Sequence, residues 1–326
     1  VKVLVIVNRI SELTSRQSTA MLIAELSRRA VELYVGDLEG IRITMKDEAA
    51  GIACSATASC IDRLHSSTDI AQLREASLKT FNLSAGDVVI LRTNPGRDPD
   101  RKQQHQAALW TLAALDFAGV RVINRPTQLF RLAAKSSLFG LNARYRPAGI
   151  ITDSLDQLVA FANGIDECIV KPIVGSRGEG VHKLVSPLNQ DDVSTIAELQ
   201  TRGSVICQEF VPWDQRGDVR LVVLDGKPLE IDGKVAAIHR VPATGDFRGN
   251  LHAGGTACAI EPTPAMLEAA KHAAQFLNSQ GVMLAGIDLV NDQVIEMNVF
   301  STGGLFDAER LYNREFVATI VTHMMQ

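Results

Sequence analysis

The stretch Val282-Met-Leu-Ala-Gly-Ile-Asp288-Leu-Val290 sets one carboxylate in an otherwise apolar run, where an unpaired charge would be very costly. Asp288 therefore requires a counter-charge. After Asn291-Asp-Gln293 the chain returns as Val294-Ile-Glu296-Met-Asn298-Val299, and the alternation of strand side chains puts Glu296 and Asn298 on one face. An odd-numbered connection such as Asn291 to Gln293 sets Asp288 opposite Glu296, whereas a two-residue connection sets them on opposite faces. Oxygen-bearing side chains sharing a face suit Mg²⁺, which takes oxygen ligands and keeps part of its shell for water and phosphate. The plainer alternative is polar residues on the wet side of a half-solvated sheet, and the apolar run around Asp288 weighs against it.

Basic groups could serve the same chemistry. Asp218-Val-Arg220, His239-Arg240 and Arg248-Gly-Asn250 supply arginines whose planar donor forks match carboxylate and phosphate. Singly, each is an ordinary surface residue; together they can bind a carboxylate and steady a phosphoryl group in transfer. The run Gly175-Ser176-Arg177-Gly178-Glu179-Gly180 offers backbone N–H groups unobstructed by Cβ, with the charge of Arg177, and Lys171 ends the strand before it. The run lacks the Gly-Lys-Ser/Thr ending of a P-loop, so alone it signals only a turn. No histidine has metal-ligand spacing.

The elements that must position these residues fall into two styles. Val1–Val7 reads as a strand covered on both faces, followed by helical periodicity over 18–30; Asp87–Arg92, a helix over 103–118 and Val120–Ile123 repeat the pattern. Alternating strands and helices imply a parallel-type sheet through Asn124. The turn after Val7 has no Gly-x-Gly-x-x-Gly, so dinucleotide binding has no support. Arg125-Pro126 marks a boundary, with a helix over 128–142 containing Lys135. Beyond it, helices over 154–162, 191–200 and 264–280 stand apart from strands at 167–172, 181–185, 205–211, 219–224, 227–231, 282–290 and 294–300. Asp225-Gly226 is a hairpin turn signal. This half should hold antiparallel sheet.

With 326 residues, two or three lobes are expected. A formal charge of −4 and no block of like charge give no sign of a nucleic-acid partner. No apolar run approaches a membrane span and no signal-peptide layout opens the chain, which places it in the cytoplasm as an expectation. Five scattered cysteines without Cys-x-x-Cys spacing read as reduced, structural thiols.

These motifs, in this order, resemble the ATP-grasp superfamily, and their wording is similar to bacterial glutathione synthetases. The likeness is densest in Arg240-Val-Pro242, 247–255, Gly286-Ile-Asp288-Leu289 and Glu296-Met-Asn298-Val299, and extends to Asn124-Arg-Pro126, Lys171-Pro172 and Gly217-Asp-Val-Arg220. It implies an ATP-grasp fold of mixed α/β and α+β class: an N-terminal α/β lobe (1–124), then two α+β lobes (125–204 and 205–326) that clasp ATP. By the same resemblance Lys135 and Lys171 hold nucleotide phosphates, Gly175, Ser176, Arg177, Gly178 and Gly180 form a flap, and Gln208, Glu209, Phe210 and Val211 hold adenine. Asp218 matches a ribose carboxylate; Arg220, Arg240, Arg248 and Asn250 match the phosphate and acyl-phosphate site; Asp288, Glu296 and Asn298 match ligands of two Mg²⁺. The implied activity is ADP-forming ligation of a small-molecule or peptide carboxylate to an amine through an acyl phosphate, in a homo-oligomer. Amino-acid addition to a peptide or protein terminus is the neighbouring alternative, and a non-catalytic ATP sensor or scaffold is the alternative of another class. The flap wording and Phe300-Ser-Thr-Gly-Gly-Leu305 depart from the bacterial synthetases, leaving the substrates open.

Overall fold

The computed structural model describes residues 1–45, 52–175, 179–244 and 254–326. β1 (Lys2–Val7) is buried at every position after Lys2 because it has cover on both faces. Val3, Val5 and Val7 pack toward α1 (Ser18–Ser27), while Leu4 and Ile6 face the opposite cluster. Around β1 lie β2 (Glu32–Asp37), β3 (Ile41–Met45), β4 (Ile52–Ile61), β5 (Leu78–Leu83), β6 (Val88–Leu91) and β7 (Arg121–Ile123). The order β2-β1-β6-β7 is parallel, with α2 (Lys102–Leu115) as the crossover between β6 and β7. β4 joins β2 antiparallel and carries β3 and β5, so the sheet is mixed, not parallel throughout. The antiparallel edge escaped the sequence because β4, Ile-Ala-Cys-Ser-Ala-Thr-Ala-Ser-Cys-Ile, is rich in small residues with little β-branched or aromatic signal.

α3 (Pro126–Ala133) starts at the boundary proline, two residues before the expected start, and is only eight residues long. The expected helix over 128–142 breaks because Ala134 is extended and the Lys135 N–H donates to the Ile173 carbonyl (2.9 Å), a tertiary bond in place of a helical one. The second sheet, β8 (Gly149–Thr152), β9 (Glu167–Pro172), β10 (His182–Val185) and β11 (Val205–Glu209), is antiparallel in the order β10-β9-β11-β8. α4 (Leu155–Asn163), capped by Ser154, and α5 (Gln190–Gln200), capped by Asn189 with Asp192, cover one face of it. Val205, expected to open the C-terminal lobe, instead starts a strand inside this sheet, and the chain leaves it only after Glu209. The hydrophobic pattern of β11 marks a buried strand but not which sheet receives it.

The third sheet holds β12 (Asp218–Leu224), β13 (Lys227–Pro228), β16 (Ala237–Val241), β17 (Thr256–Cys258), β18 (Leu284–Val290) and β19 (Gln293–Asn298) in antiparallel pairing, with a ribbon of β14 (Glu230–Ile231) and β15 (Lys234–Val235) beside it. Asp225 and Gly226, at φ +47° and +76°, make the expected hairpin turn. α6 (Pro264–Ser279) packs beneath with an alanine-rich face, and α7 (Leu305–Tyr312) and α8 (Phe316–Met324) complete the chain.

Two buried clusters run continuously from the first sheet into the third, whereas the second sheet has a core of its own between β9, β11, α4 and α5. Asn124, 5% exposed, ties first and third sheets together: its amide donates to the Leu284 and Val299 carbonyls (both 2.8 Å) and accepts from the N–H groups of Met283 (2.9 Å) and Leu284 (3.0 Å). Among the described residues no helix is long and apolar enough to cross a membrane. All five cysteines are free thiols.

Candidate active site

Strand register builds the site. β12 lies between β16 and β18, so Asp218 pairs with Arg240, and Arg220 stands opposite Asp288, which in turn stands opposite Glu296 across β19. The β18–β19 connection is the short one, with Val290 facing Gln293, yet Asp288 and Glu296 still share a face. A β-bulge does this: Leu289 pairs with Val294 and Asp288 with Glu296, so Ile295 is the extra residue that turns the strand over. Gly286 continues the row opposite Asn298, and a Cβ there would collide with the Thr302 hydroxyl.

These side chains floor a cleft of about 340 Å³ between the inner faces of the second and third sheets. Asp288, 1% exposed, meets the counter-charge that its burial demands. Arg220 grips both of its oxygens (Nη2 to Oδ2 2.8 Å), Arg240 Nη2 reaches Oδ2 at 2.8 Å, and the Asn298 amide donates at 3.3 Å. Arg240 also holds both oxygens of Asp218, at 2.6 and 2.8 Å. Burial alone would raise the Asp288 carboxyl, but the charges of Arg220 and Arg240 outweigh it and hold the pKa at about 2. Asp218, with Arg240 as its hydrogen-bonded arginine, is lifted by burial above the ordinary carboxylate range. Arg240 is held protonated despite its burial by Asp288 and Asp218.

Across the cleft, Lys171 on β9 is 6% exposed and donates to the Ile295 carbonyl at 3.4 Å. Burial, reinforced by the nearby charge of Lys135, lowers its pKa to about 8 against the pull of Glu296 and Asp288. Lys135 Nζ donates to the Gly175 carbonyl at 2.7 Å, so it braces the first residue of the glycine-rich segment. One end of the cleft is apolar and aromatic, with Ile169, Val181, Phe210, Val211, Trp213 and Val290 beside the Gln208 side chain. Glu209 is exposed and lies outside this lining.

The cleft thus gathers Lys135, Lys171, Gly175, Gln208, Phe210, Val211, Asp218, Arg220, Arg240, Asp288, Glu296 and Asn298. Gly180 lies off it, at φ +65° against Pro172 and Leu199. Ser176, Arg177, Gly178, Arg248 and Asn250 lie outside the described residues. Asp218 lines the cleft with each oxygen bonded once by Arg240, which leaves lone pairs on both for a further donor such as a hydroxyl. Trp213 was not legible as a site residue; its signal was an aromatic one residue after Pro212, at the exit from β11. Asn94 and Arg97 also line the cleft, from the loop after β6.

Residues 138–313 match the model of the prokaryotic glutathione synthetase ATP-grasp domain, and residues 1–130 match that family's N-terminal domain. The chain belongs to the prokaryotic glutathione synthetase family. Within it, the glutathione synthetase of Parasynechococcus marenigrum (strain WH8102) is 30% identical over 71% of this chain and 72% of its own length. That of Vibrio vulnificus (strain YJ016) is 26% identical over 96% and 93%. Among solved structures, the ATP-grasp ligase PsnB complexed with minimal precursor superimposes with a TM-score of 0.64 at 18% identity, covering 99% of this chain and 98% of that one. The fold is ATP-grasp and the protein, like its family, is an ATP-dependent ligase of C–N bonds.

Proposed function

We propose that the chain activates a small carboxylate, free or in a short peptide, as its acyl phosphate and passes it to an amine with release of ADP and phosphate. The observation that carries this reading is the ladder Asp218–Arg240–Asp288–Arg220 facing the buried Lys171, a dense set of cations around two carboxylates in a cleft that also has apolar and aromatic lining. The apolar end suits a purine, and Lys135 and Lys171 suit its phosphates. Arg220 and Arg240 are charges in place before the reaction, which is what stabilising a phosphoryl transfer requires.

Asp288, Glu296 and Asn298 fit Mg²⁺: the donors are hard oxygens, and Asp288 is ionised at any working pH. Magnesium, two ions in this proposal, would neutralise phosphate charge when bound. Arg220, Arg240 and Asn298 all bond Oδ2 of Asp288, whereas Oδ1 takes Arg220 alone and keeps a lone pair that a cation could use. The amine needs no protein nucleophile, since the acyl phosphate supplies the electrophile. The relatives' glutathione synthetase name makes γ-glutamylcysteine and glycine the first pair to try.

The test is ADP release from Mg-ATP with γ-glutamylcysteine, with and without glycine, followed by a panel of other carboxylates and amines. Glycine-dependent ADP together with glutathione by mass establishes the specific case. Absence of ADP with every pair, while nucleotide binds, would overturn the ligase reading for this chain.

A further inference from the structure

We infer that the turn joining β18 to β19 is the fixed side of a two-stranded hinge under the second sheet, and that Asn291 in this turn is the positioning residue that seats Trp213 in the cleft. This rests on the ligase reading and adds to it how the nucleotide-facing lining is tied to the strands that carry Asp288 and Glu296. The chain enters the second sheet ahead of β8 and leaves it after β11, so two crossings join that sheet to the body formed by the first and third sheets. Hinges are built from a few residues at such element ends.

The inward crossing is anchored to the body as far as Tyr145. Leu141 is buried in the core shared by the first and third sheets, the Asn142 N–H donates to His272 Nε2 on α6 (3.2 Å), and the Tyr145 hydroxyl donates to Glu268 Oε1 on α6 (2.6 Å). Gln293, at the end of the β18–β19 turn, donates from Nε2 to the Arg144 carbonyl at 3.3 Å. From Ala148 onward the chain belongs to the second sheet, because its carbonyl accepts the Glu209 N–H (2.9 Å) at the end of β11. Arg146 and Pro147 lie between the two anchorages.

The outward crossing meets the same turn. Asn291 Nδ2 donates to the Pro212 carbonyl (2.9 Å) and its Oδ1 accepts from the Asp214 N–H (3.2 Å), so one amide holds the backbone on both sides of Trp213. Asn291 stands at φ +51°, a left-handed conformation that asparagine adopts more readily than most residues. Trp213 is among the residues that line the cleft and Asn291 is not. Phe210 is held from the opposite side. Its N–H donates to the Glu167 carbonyl (3.0 Å), and Lys183 Nζ on β10, paired with the Glu167 carboxylate at 2.8 Å, lies 3.7 Å from the centre of its ring. The Phe210 and Trp213 rings meet edge-on, 5.7 Å between centroids, one carried by the second sheet and the other by the turn of the third. Rotation of the second sheet therefore alters this aromatic contact, with Val211 as the residue between the two anchorages.

The experiment is a double-mutant cycle of Mg-AMPPNP affinity, read by calorimetry on the full chain as wild type, Asn291→Gly, Trp213→Ala and the pair. Glycine accepts the positive φ and removes only the amide. Asn291→Gly is expected to weaken Mg-AMPPNP about five- to tenfold, the scale of one net hydrogen bond or slightly more. In the Trp213→Ala background the same substitution should change affinity by less than about twofold, because it acts through that ring. Asn291→Asp keeps the acceptor for the Asp214 N–H and loses the donor, so its affinity should fall between wild type and Asn291→Gly. Amide hydrogen exchange over 210–217 should quicken in Asn291→Gly while β8 to β11 exchange as in the wild type. Additive losses in the pair, wild-type affinity in Asn291→Gly, or quickened exchange throughout the second sheet would each overturn the positioning role. Failure of the wild type to bind Mg-AMPPNP would instead overturn the ligase reading.

Discussion

Glu296 is the cleanest place to test the metal set, because it lines the cleft without anchoring the arginines. Glu296→Ala should lower ADP formation about 100- to 1,000-fold, the scale lost when one preorganised electrostatic group is removed, with an unchanged melting temperature. Asp288→Ala should abolish turnover and also destabilise the fold by about 3–5 kcal/mol, since Arg220 and Arg240 would remain buried without their carboxylate. Undiminished ADP formation by Glu296→Ala would refute its assignment as a ligand. Lys171 gives a pH signature. Its pKa of about 8 means that nucleotide affinity should fall above pH 8 by up to about tenfold per unit, and that binding near pH 8 should take up a proton, read as a buffer-dependent enthalpy. The sign for stability is opposite: between about 8 and the unfolded value the unfolded chain carries the proton that the folded one lacks, so this residue's contribution rises with pH. At this scale the sequence was informative. A carboxylate inside an apolar strand demanded a cation, and two arginines are there. Trp213 escaped because a loop side chain gains a role from what lies opposite it, which no local pattern records.

Elements were legible where periodicity is strong and obscure where tertiary bonds intervene. The β18–β19 hairpin shows the difference. The spacing of Asp288, Glu296 and Asn298 left two registers open, tied to an odd or a two-residue connection; the molecule uses the short connection and recovers the shared face through the bulge at Ile295. A bulge leaves no mark in composition. Lys135 was expected within a continuous helix, but its N–H is claimed by Ile173. Asn124 was visible only as part of a motif, and its work is to satisfy backbone groups on β18 and the exit of β19. Asn124→Ala leaves those buried groups without partners at about 1–3 kcal/mol each, so a loss of at least about 3 kcal/mol is expected from the urea midpoint. A midpoint shifted by less than a third of that would show that the first and third sheets hold together without it.

For the whole molecule, the distribution of cores matters more than the count of lobes. The first and third sheets share buried clusters and act as one body, whereas the second sheet has a separate core and touches the third through Lys171 on β9 and the Ile295 carbonyl on β19. Domain-sized pieces with their own cores move relative to each other by default. Mg-AMPPNP should therefore draw the second sheet over the cleft, and small-angle scattering should register a smaller radius of gyration than for the ligand-free protein; an unchanged radius would mean that the cleft is already closed. The broad architecture, helices alternating with parallel strands and then antiparallel sheets, was legible from residue patterns. The assignment of β11 to the second sheet was not, because a buried strand looks alike in either neighbour.

The chain has two tryptophans, and their placement is unequal. Trp110 stands 62% exposed on α2, while Trp213 sits in the cleft lining with its ring edge-on to Phe210, 5.7 Å between centroids. Excited near 295 nm, the protein therefore emits from one solvated indole and one indole in the cleft lining. Filling the cleft should shift and quench the second emission alone, and Trp110→Phe would leave an enzyme whose own light reports occupancy without a label.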